Sequence, residues 1–204
     1  MRFYDERVLP RLLHFSMRQA PLAEYRRRVL EAADGEVLEI GIGSGLNVPF
    51  YREAARHVIG LEPSPALLAM ARRMGPKSRV PLQLVRGSAE SIPLDPHSID
   101  TVVTTWTLCS IRDVSAALLE VRRVLKPSGQ LLFVEHGRST DAQVWRWQDR
   151  LTPVWKRFAG GCHLNRPIAQ LVEAAGFRID QLQTAYLPGP RPLTFMYEGR
   201  ARAR

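Results

Sequence analysis

Glu39 stands within the otherwise apolar run 37–40, and Gly41, Gly43 and Gly45 follow that run directly. Such a run reads as a buried strand. Glycines at its end let the backbone take positive φ and let a ligand approach with no Cβ in the way. A helix is expected next, over 46–56, with its free N–H groups turned toward the same spot. The chemistry this predicts is the holding of a nucleotide-like ligand in a strand–turn–helix cradle. Glu62 follows Gly41 by 21 residues and closes a second apolar run, 57–61. A carboxylate about 20 residues on, at a second strand end, accepts hydrogen bonds from both ribose hydroxyls. A dinucleotide fingerprint would need glycine at position 46, where Leu46 stands.

Two histidines are candidate bases. His136 follows the apolar run 130–135, and His163 follows Gly160-Gly161-Cys162. Both are expected near the carboxyl edge of the sheet, and a purely structural role is the alternative for each. Cys109 and Cys162 are the two cysteines. Two make no disulfide framework, which fits a reducing compartment. Together with the histidines they lack zinc-finger spacing, so no metal is expected. Small packing side chains suit both positions.

The elements that must position these groups alternate along the chain. Residues 7–34 read as helical, with apolar stripes through Leu9, Leu12, Leu13 and Met17, then Leu22, Tyr25, Val29, Leu30 and Ala33. Further strands are expected over 82–85, 99–104 and 130–135. Ser64-Pro65 and Asp113 read as helix starts. Lys126-Pro127-Ser128-Gly129 reads as a turn. The stretch 141–164 carries Val144, Trp147, Leu151, Val154, Trp155 and Phe158 on one helical face. It reads as a substrate lid over the sheet's carboxyl edge or as a core-facing helix. A last helix, 166–175, precedes two strands, 177–184 and 193–197. The tail 200–204 is expected to be disordered.

Several of these stretches carry a family likeness. Glu39-x-Gly41-x-Gly43-x-Gly45 resembles motif I of the class I S-adenosylmethionine (SAM) methyltransferases. Gly87-Ser88-Ala89 through Pro93 is similar to their adenine-edge stretch, with Ser88 where aspartate is usual. Ile99-Asp100-Thr101-Val102-Val103 matches their fourth strand, and the following 105–110 lies beside the transferring methyl in that family. The likeness implies an α/β fold. It is a Rossmann-like, doubly wound, seven-stranded, mostly parallel sheet with an antiparallel C-terminal edge strand, in an α/β/α sandwich. It implies a helical cap over 1–34, a methyltransferase domain over 35–199 and the lid-like insertion 141–164. It also implies that SAM is held by Glu39, Gly41, Gly43, Gly45, Asn47, Glu62, Pro63, Ser88, Ala89, Glu90, Thr105 and Trp106. Phe3, Tyr4 and His14 are candidates to cover the cofactor.

A narrower likeness runs through Phe50-Tyr51, Thr107-Leu108-Cys109-Ser110, Phe133-Val134-Glu135-His136, Trp147-Gln148, Pro153-x-Trp155 and Gly161-Cys162-x-Leu164-x-Arg166. It resembles the animal thiol S-methyltransferases and bacterial relatives, some labelled phosphatidylethanolamine N-methyltransferases. The implied reaction transfers methyl from SAM to a small thiol or sulfide and leaves S-adenosylhomocysteine. A phospholipid or other small amine is the next acceptor. An RNA methyltransferase and a SAM-binding protein without transfer are the remaining readings. Catalysis is expected from His136 and His163, with Tyr4, Cys109, Trp147 and Cys162 at the acceptor.

Composition bounds the rest. Hydrophobic content of 45% and charged content of 24% over 204 residues suit one globular domain. The net charge is +9. Such a surface attracts nucleic acid or anionic lipid. The arginines are scattered through amphipathic helices, however, and no aromatic-rich nucleic-acid motif accompanies them. The Asn/Asp-Pro-Pro-Tyr/Phe motif of many nucleobase-amine methyltransferases is also missing after the fourth strand. No stable nucleic-acid partner is therefore expected, and a weak membrane-surface contact remains open. A monomer or homodimer in the cytoplasm is expected, since the N-terminal stretch lacks a signal-peptide core and an anchor-length apolar run.

Overall fold

A computed structural model describes residues 4–204. Phe3 lies outside the described residues. A π-helical turn, Tyr4–Val8, leads into α1 (Leu9–Ser16) and α2 (Ala20–Leu30). Seven strands follow: β1 (Gly35–Ile40), β2 (Ala55–Glu62), β3 (Leu82–Arg86), β4 (Ile99–Thr105), β5 (Leu125–His136), β6 (Phe177–Tyr186) and β7 (Phe195–Ala203). Between them lie α3 (Pro65–Met74), α4 (Val114–Val124), α5 (Ala142–Phe158), α6 (Ile168–Ala174) and the single turn α7 (Arg191–Thr194). The sheet order is β3-β2-β1-β4-β5-β7-β6. The β3-β2-β1-β4-β5 ladders are parallel, and β7 runs antiparallel to β5 and β6.

The order reverses at β1, which pairs with β2 on one side and β4 on the other. In open α/β sheets the ligand crevice lies outside the carboxyl ends of the strands at such a switch point. The core forms on both faces. Ala117, Leu118, Val121 and Val124 of α4 and Ile168 and Val172 of α6 pack on one. Val29 and Leu30 of α2 pack on the other, against Val37, Val103, Leu132 and Val134. Each of the Val, Leu and Ile side chains contributes about 1.5–3 kcal/mol when fully buried.

Two local expectations are corrected. The helix expected over 46–56 is instead a short 3-10 turn, Val48–Phe50, in a looped segment. Pro49 lacks an N–H for an α-helical ladder, and β2 begins by Ala55, so no length remains for α-helical turns. The tail expected to be disordered is strand through residue 203. Arg200 pairs with Leu132 and Gln181, and Ala201 is fully buried. Alternation of Ala201 and Ala203 with Arg200 and Arg202 suits a pleated strand with one face covered. The 126–129 turn sits inside β5 as an irregularity, between the pairs Ile99 with Leu125 and Thr101 with Gln130.

Candidate active site

The three glycines after β1 all have positive φ, at +67°, +57° and +79°, but face different surroundings. A Cβ at Gly41 would sit 2.4 Å from the Thr107 side chain. At Gly45 it would press on Ala71 and Met74 of α3, at 3.0 and 3.2 Å. At Gly43 it would meet nothing nearer than the Gly41 carbonyl, at 3.8 Å. The first and third glycines allow close packing of loop and helix. The middle one leaves open space beside Glu62.

Glu62 ends β2 beneath that space. Its Oε2 accepts the Gly43 N–H at 3.1 Å, and its Oε1 accepts the Ser64 N–H at 2.9 Å. Burial raises its pKa, against these two donors. Pro63 beside it is exposed. His14 of α1 reaches the same turn, its Nδ1 2.8 Å from the Ser44 hydroxyl. The first helix is therefore tied over the glycine turn.

Glu39 is spent inward. Its Oε2 accepts the Tyr51 hydroxyl at 2.6 Å and its Oε1 accepts Asn47 Nδ2 at 2.9 Å. It is 1% exposed, and burial pushes its pKa up to about 7. Asn47 Nδ2 also donates to Thr105 Oγ1 at 3.0 Å, which leaves Asn47 Oδ1 buried without a partner. Arg26 supplies positive potential from α2; its own pKa falls to about 10 through burial. The guanidinium carbon lies 4.6 Å from the centre of the Trp106 ring. Trp106, at a positive φ of 52°, turns its indole N–H to the Met196 sulfur. Its ring thus serves the α2–β7 side.

The adenine-edge residues engage one another. Ser88 donates to Glu90 Oε2 at 2.9 Å, and Glu90 Oε1 accepts the Asp113 N–H at 2.7 Å. Ala89 between them is buried.

Beyond β4, the loop 105–110 is held from two directions. Glu135, fully buried at the end of β5, accepts the Thr104 hydroxyl and the N–H groups of Thr107, Leu108 and Cys109, at 2.7 to 3.3 Å. Burial raises this carboxyl to about 7. Arg166 donates to the carbonyls of Leu108 and Ile111. Against this loop lies the segment after α5. The His163 N–H donates to the Cys109 carbonyl at 2.8 Å, and His163 Nδ1 lies 3.2 Å from the same oxygen. A carbonyl only accepts, so Nδ1 carries the proton and Nε2 the lone pair of the neutral ring. His136 Nδ1 lies 3.8 Å from Cys162 Sγ, and its Nε2 is buried without a partner. Hydrogen bonds from Cys109, His136 and Trp155 hold the Cys162 thiol below its ordinary range, whereas the same pairing and burial push Cys109 up.

The structure brings Cys109, Cys162, His136 and His163 together. It places Tyr4 and Trp147 elsewhere. The Tyr4 hydroxyl donates to the Phe158 carbonyl, and Trp147 is 54% exposed, with Arg150 over its ring. The tryptophan that touches Cys162 is Trp155. Among the described residues no three His, Cys, Asp or Glu side chains converge as metal ligands.

Sequence reasoning missed the roles of Arg26, Tyr51, Glu135 and Arg166. Arg26 had a signal, since it falls on the stripe Leu22, Val29 and Leu30 that buries α2. Glu135 had the signal used for Glu39, an acid ending an apolar strand. Nothing local marks Tyr51 or Arg166 as partners of groups far along the chain.

Comparison with known proteins places the chain. A family profile described as "Methyltransferase domain" matches residues 38–133. Thiol S-methyltransferase TMT1B of Rattus norvegicus is 34% identical over 167 residues, covering 79% of this chain and 67% of the relative. The Homo sapiens protein of that name is 33% identical, covering 83% of this chain and 70% of the relative. Among solved structures, a SAM-dependent methyltransferase from Thermotoga maritima, titled a possible histamine N-methyltransferase, superposes with a TM-score of 0.69 at 24% identity. That match covers 100% of this chain and 97% of the other. Fold and site define a SAM-dependent methyltransferase. The chain belongs to the methyltransferase family that contains the thiol S-methyltransferases. S-adenosylmethionine is its cofactor. The residues present fit it: the space over Gly43 would close with a Cβ, and Asn47 Oδ1 is a buried acceptor lacking a donor.

Proposed function

We propose that the enzyme S-methylates a small thiol or sulfide. The observation that carries this reading is the His163–Cys109 contact, in which Nδ1 faces the carbonyl and the Nε2 lone pair stays clear of it, on a segment packed against the loop after β4. The thiol S-methyltransferase relatives, at about one third identity, support the same acceptor.

SAM supplies a methyl already activated on a sulfonium, ready for in-line displacement. The protein's share is then proximity, alignment and exclusion of water. In this reading Glu62 holds the ribose hydroxyls, and Gly43 gives them room. Asn47, oriented by Glu39 and Thr105, offers Oδ1 to the cofactor's ammonium. Glu135 and Arg166 hold the loop 107–111 rigid at the transferring methyl. A thiol attacks as thiolate. His163 Nε2 takes the thiol proton, and the Cys109 carbonyl holds the imidazole in that tautomer. Half-buried Cys162 and buried His136 line the acceptor side, with Trp155 next to the Cys162 thiol. A phospholipid amine is the second reading, favoured by the exposed apolar residues of α5.

The test is S-adenosylhomocysteine formation with hydrogen sulfide, a short alkyl thiol, phosphatidylethanolamine vesicles and bulk RNA. Turnover on a thiol that falls with Glu62→Ala and His163→Gln is expected. Turnover confined to vesicles or RNA, with thiols silent, would overturn the reading.

A further inference from the structure

The two cysteines lie on chain segments that touch at three points. Cys162 follows Gly160 and Gly161, whose φ values of +59° and +84° turn the chain after α5. A Cβ at Gly161 would stand 3.3 Å from the Ser110 carbonyl. The His163 N–H donates to the Cys109 carbonyl at 2.8 Å. Between these contacts the Cys109 and Cys162 thiols hydrogen-bond each other. Both backbones are held. Glu135 accepts the Cys109 N–H, and Arg166 donates to the Leu108 and Ile111 carbonyls on either side of it. The Cys162 N–H donates to the Ala159 carbonyl at 3.1 Å.

Their surroundings make the two sulfurs unlike. Cys109 is buried, with the Trp106 carbonyl 3.6 Å from its Sγ and the Glu135 carboxyl close by. Cys162 is half-buried, with its Sγ 3.8 Å from His136 Nδ1. Arg166 adds positive charge near both. The bond from Cys109 and the nearby His136 favour the Cys162 thiolate, whereas that same bond and burial keep Cys109 a thiol. Cysteines that sense oxidants are thiolate-rich, reachable from solvent and placed beside a second thiol. Cys162 has the first two properties, and Cys109 supplies the third.

We infer that Cys109 and Cys162 close a reversible regulatory disulfide when the enzyme meets a hydroperoxide, Cys162 reacting first and Cys109 second. The Cys162 thiolate, its proton passed to His136 Nδ1, attacks one oxygen of hydrogen peroxide. An S–O bond forms, the O–O bond breaks, and the departing hydroxide takes the proton from His136 and leaves as water. The Cys109 sulfur then attacks the Cys162 sulfenic acid. The S–S bond forms, the S–O bond breaks, and the second hydroxide leaves as water with the Cys109 proton. The two thiols give up two electrons in all, and the peroxide takes them. An external thiol reverses the change by exchange, as in the transient sensing disulfides of reducing compartments. The bond would tie the turn after α5 to the loop after β4 and withdraw Cys162 from the acceptor side. That consequence rests on the acceptor reading above; the disulfide itself does not.

The experiment treats reduced, desalted protein with a small excess of hydrogen peroxide, with no acceptor present. Free thiols are counted after denaturation, and intact mass and a non-reducing peptide map are recorded. Both thiols should disappear together, with a mass loss of two hydrogen atoms and a linked peptide that holds Cys109 and Cys162. Dithiothreitol should restore both. Cys109→Ser should stop at a Cys162 sulfenic acid that dimedone traps, and Cys162→Ser should leave Cys109 unreacted. His136→Gln should slow thiol loss about tenfold or more near neutral pH, with recovery at high pH where Cys162 ionises unaided. Phenylarsine oxide, which bridges neighbouring thiols, should bind the wild type and protect both from peroxide, so the test does not depend on any variant folding. Two thiols that survive peroxide would overturn the inference. So would a Cys162 sulfinic acid beside a free Cys109, or a disulfide that joins two chains.

Discussion

The Tyr51 hydroxyl donates to Glu39 Oε2 at 2.6 Å from inside the core. That one contact explains how an acid at the end of β1 can be fully buried. With Asn47 on its other oxygen, Glu39 becomes a fixed strut beneath the cofactor turn.

Tyr51→Phe should remove the donor and leave the carboxylate oxygen buried and unpaired. The expected loss is about 1–3 kcal/mol. It is read as a lower urea midpoint with an unchanged denaturant slope. A midpoint equal to wild type would mean that Glu39 is satisfied by another donor.

Glu39 and Glu135 have folded-state pKa values raised by burial from 4.5 to about 7. A raised acid holds its proton more tightly in the folded state. Its stabilising effect is therefore complete below about pH 4.5 and is lost as pH rises through about 7. Each contributes on the order of 3 kcal/mol of change across that window. Urea titrations of the cofactor-free protein should show it, and Glu39→Gln and Glu135→Gln should each flatten part of the curve. A curve of the same slope in both variants would contradict this account.

The glycines should separate stability from binding. Gly43→Ala keeps its space but strains a positive φ, at about 1 kcal/mol. Its methyl should lower SAM affinity by calorimetry at least about tenfold, since 1.4 kcal/mol is a factor of ten. Gly41→Ala drives a methyl into Thr107 and should destabilise by about 2–3 kcal/mol as overpacking. Equal effects of the two on stability would remove the distinction.

His163→Gln should lower kcat with a thiol acceptor about 100-fold, the scale of a general base. SAM affinity should not change. Activity should recover at high pH, where the acceptor ionises without help. A deficit that persists at high pH would point to a structural role through the Cys109 carbonyl.

Much of the frame was legible in the residues because its signals are local. Short apolar runs, glycines at a strand end and acids closing strands are set by backbone geometry within a few residues. They located β1 to β5, the turn at Gly41 to Gly45 and the positions of Glu39 and Glu62. Where local rules failed, a neighbour from elsewhere decided. The 200–203 segment looks like a short basic tail, but β5 and β6 offer unpaired edges on both sides of it. Arg26 sits on the buried stripe of α2 by its spacing from Leu22 and Leu30, yet only the fold brings the Trp106 ring against it.

The sequence by itself determined most strands, the glycine turn and the nucleotide-like character of the ligand it cradles, since these follow from residue type and spacing along one chain segment. Only the tertiary structure decided which groups share the site. Glu135 meets the 107–109 amides and His163 meets the Cys109 carbonyl across tens of residues. Such contacts are fixed by how strand ends and loops converge at the sheet's edge, and no local pattern encodes that convergence.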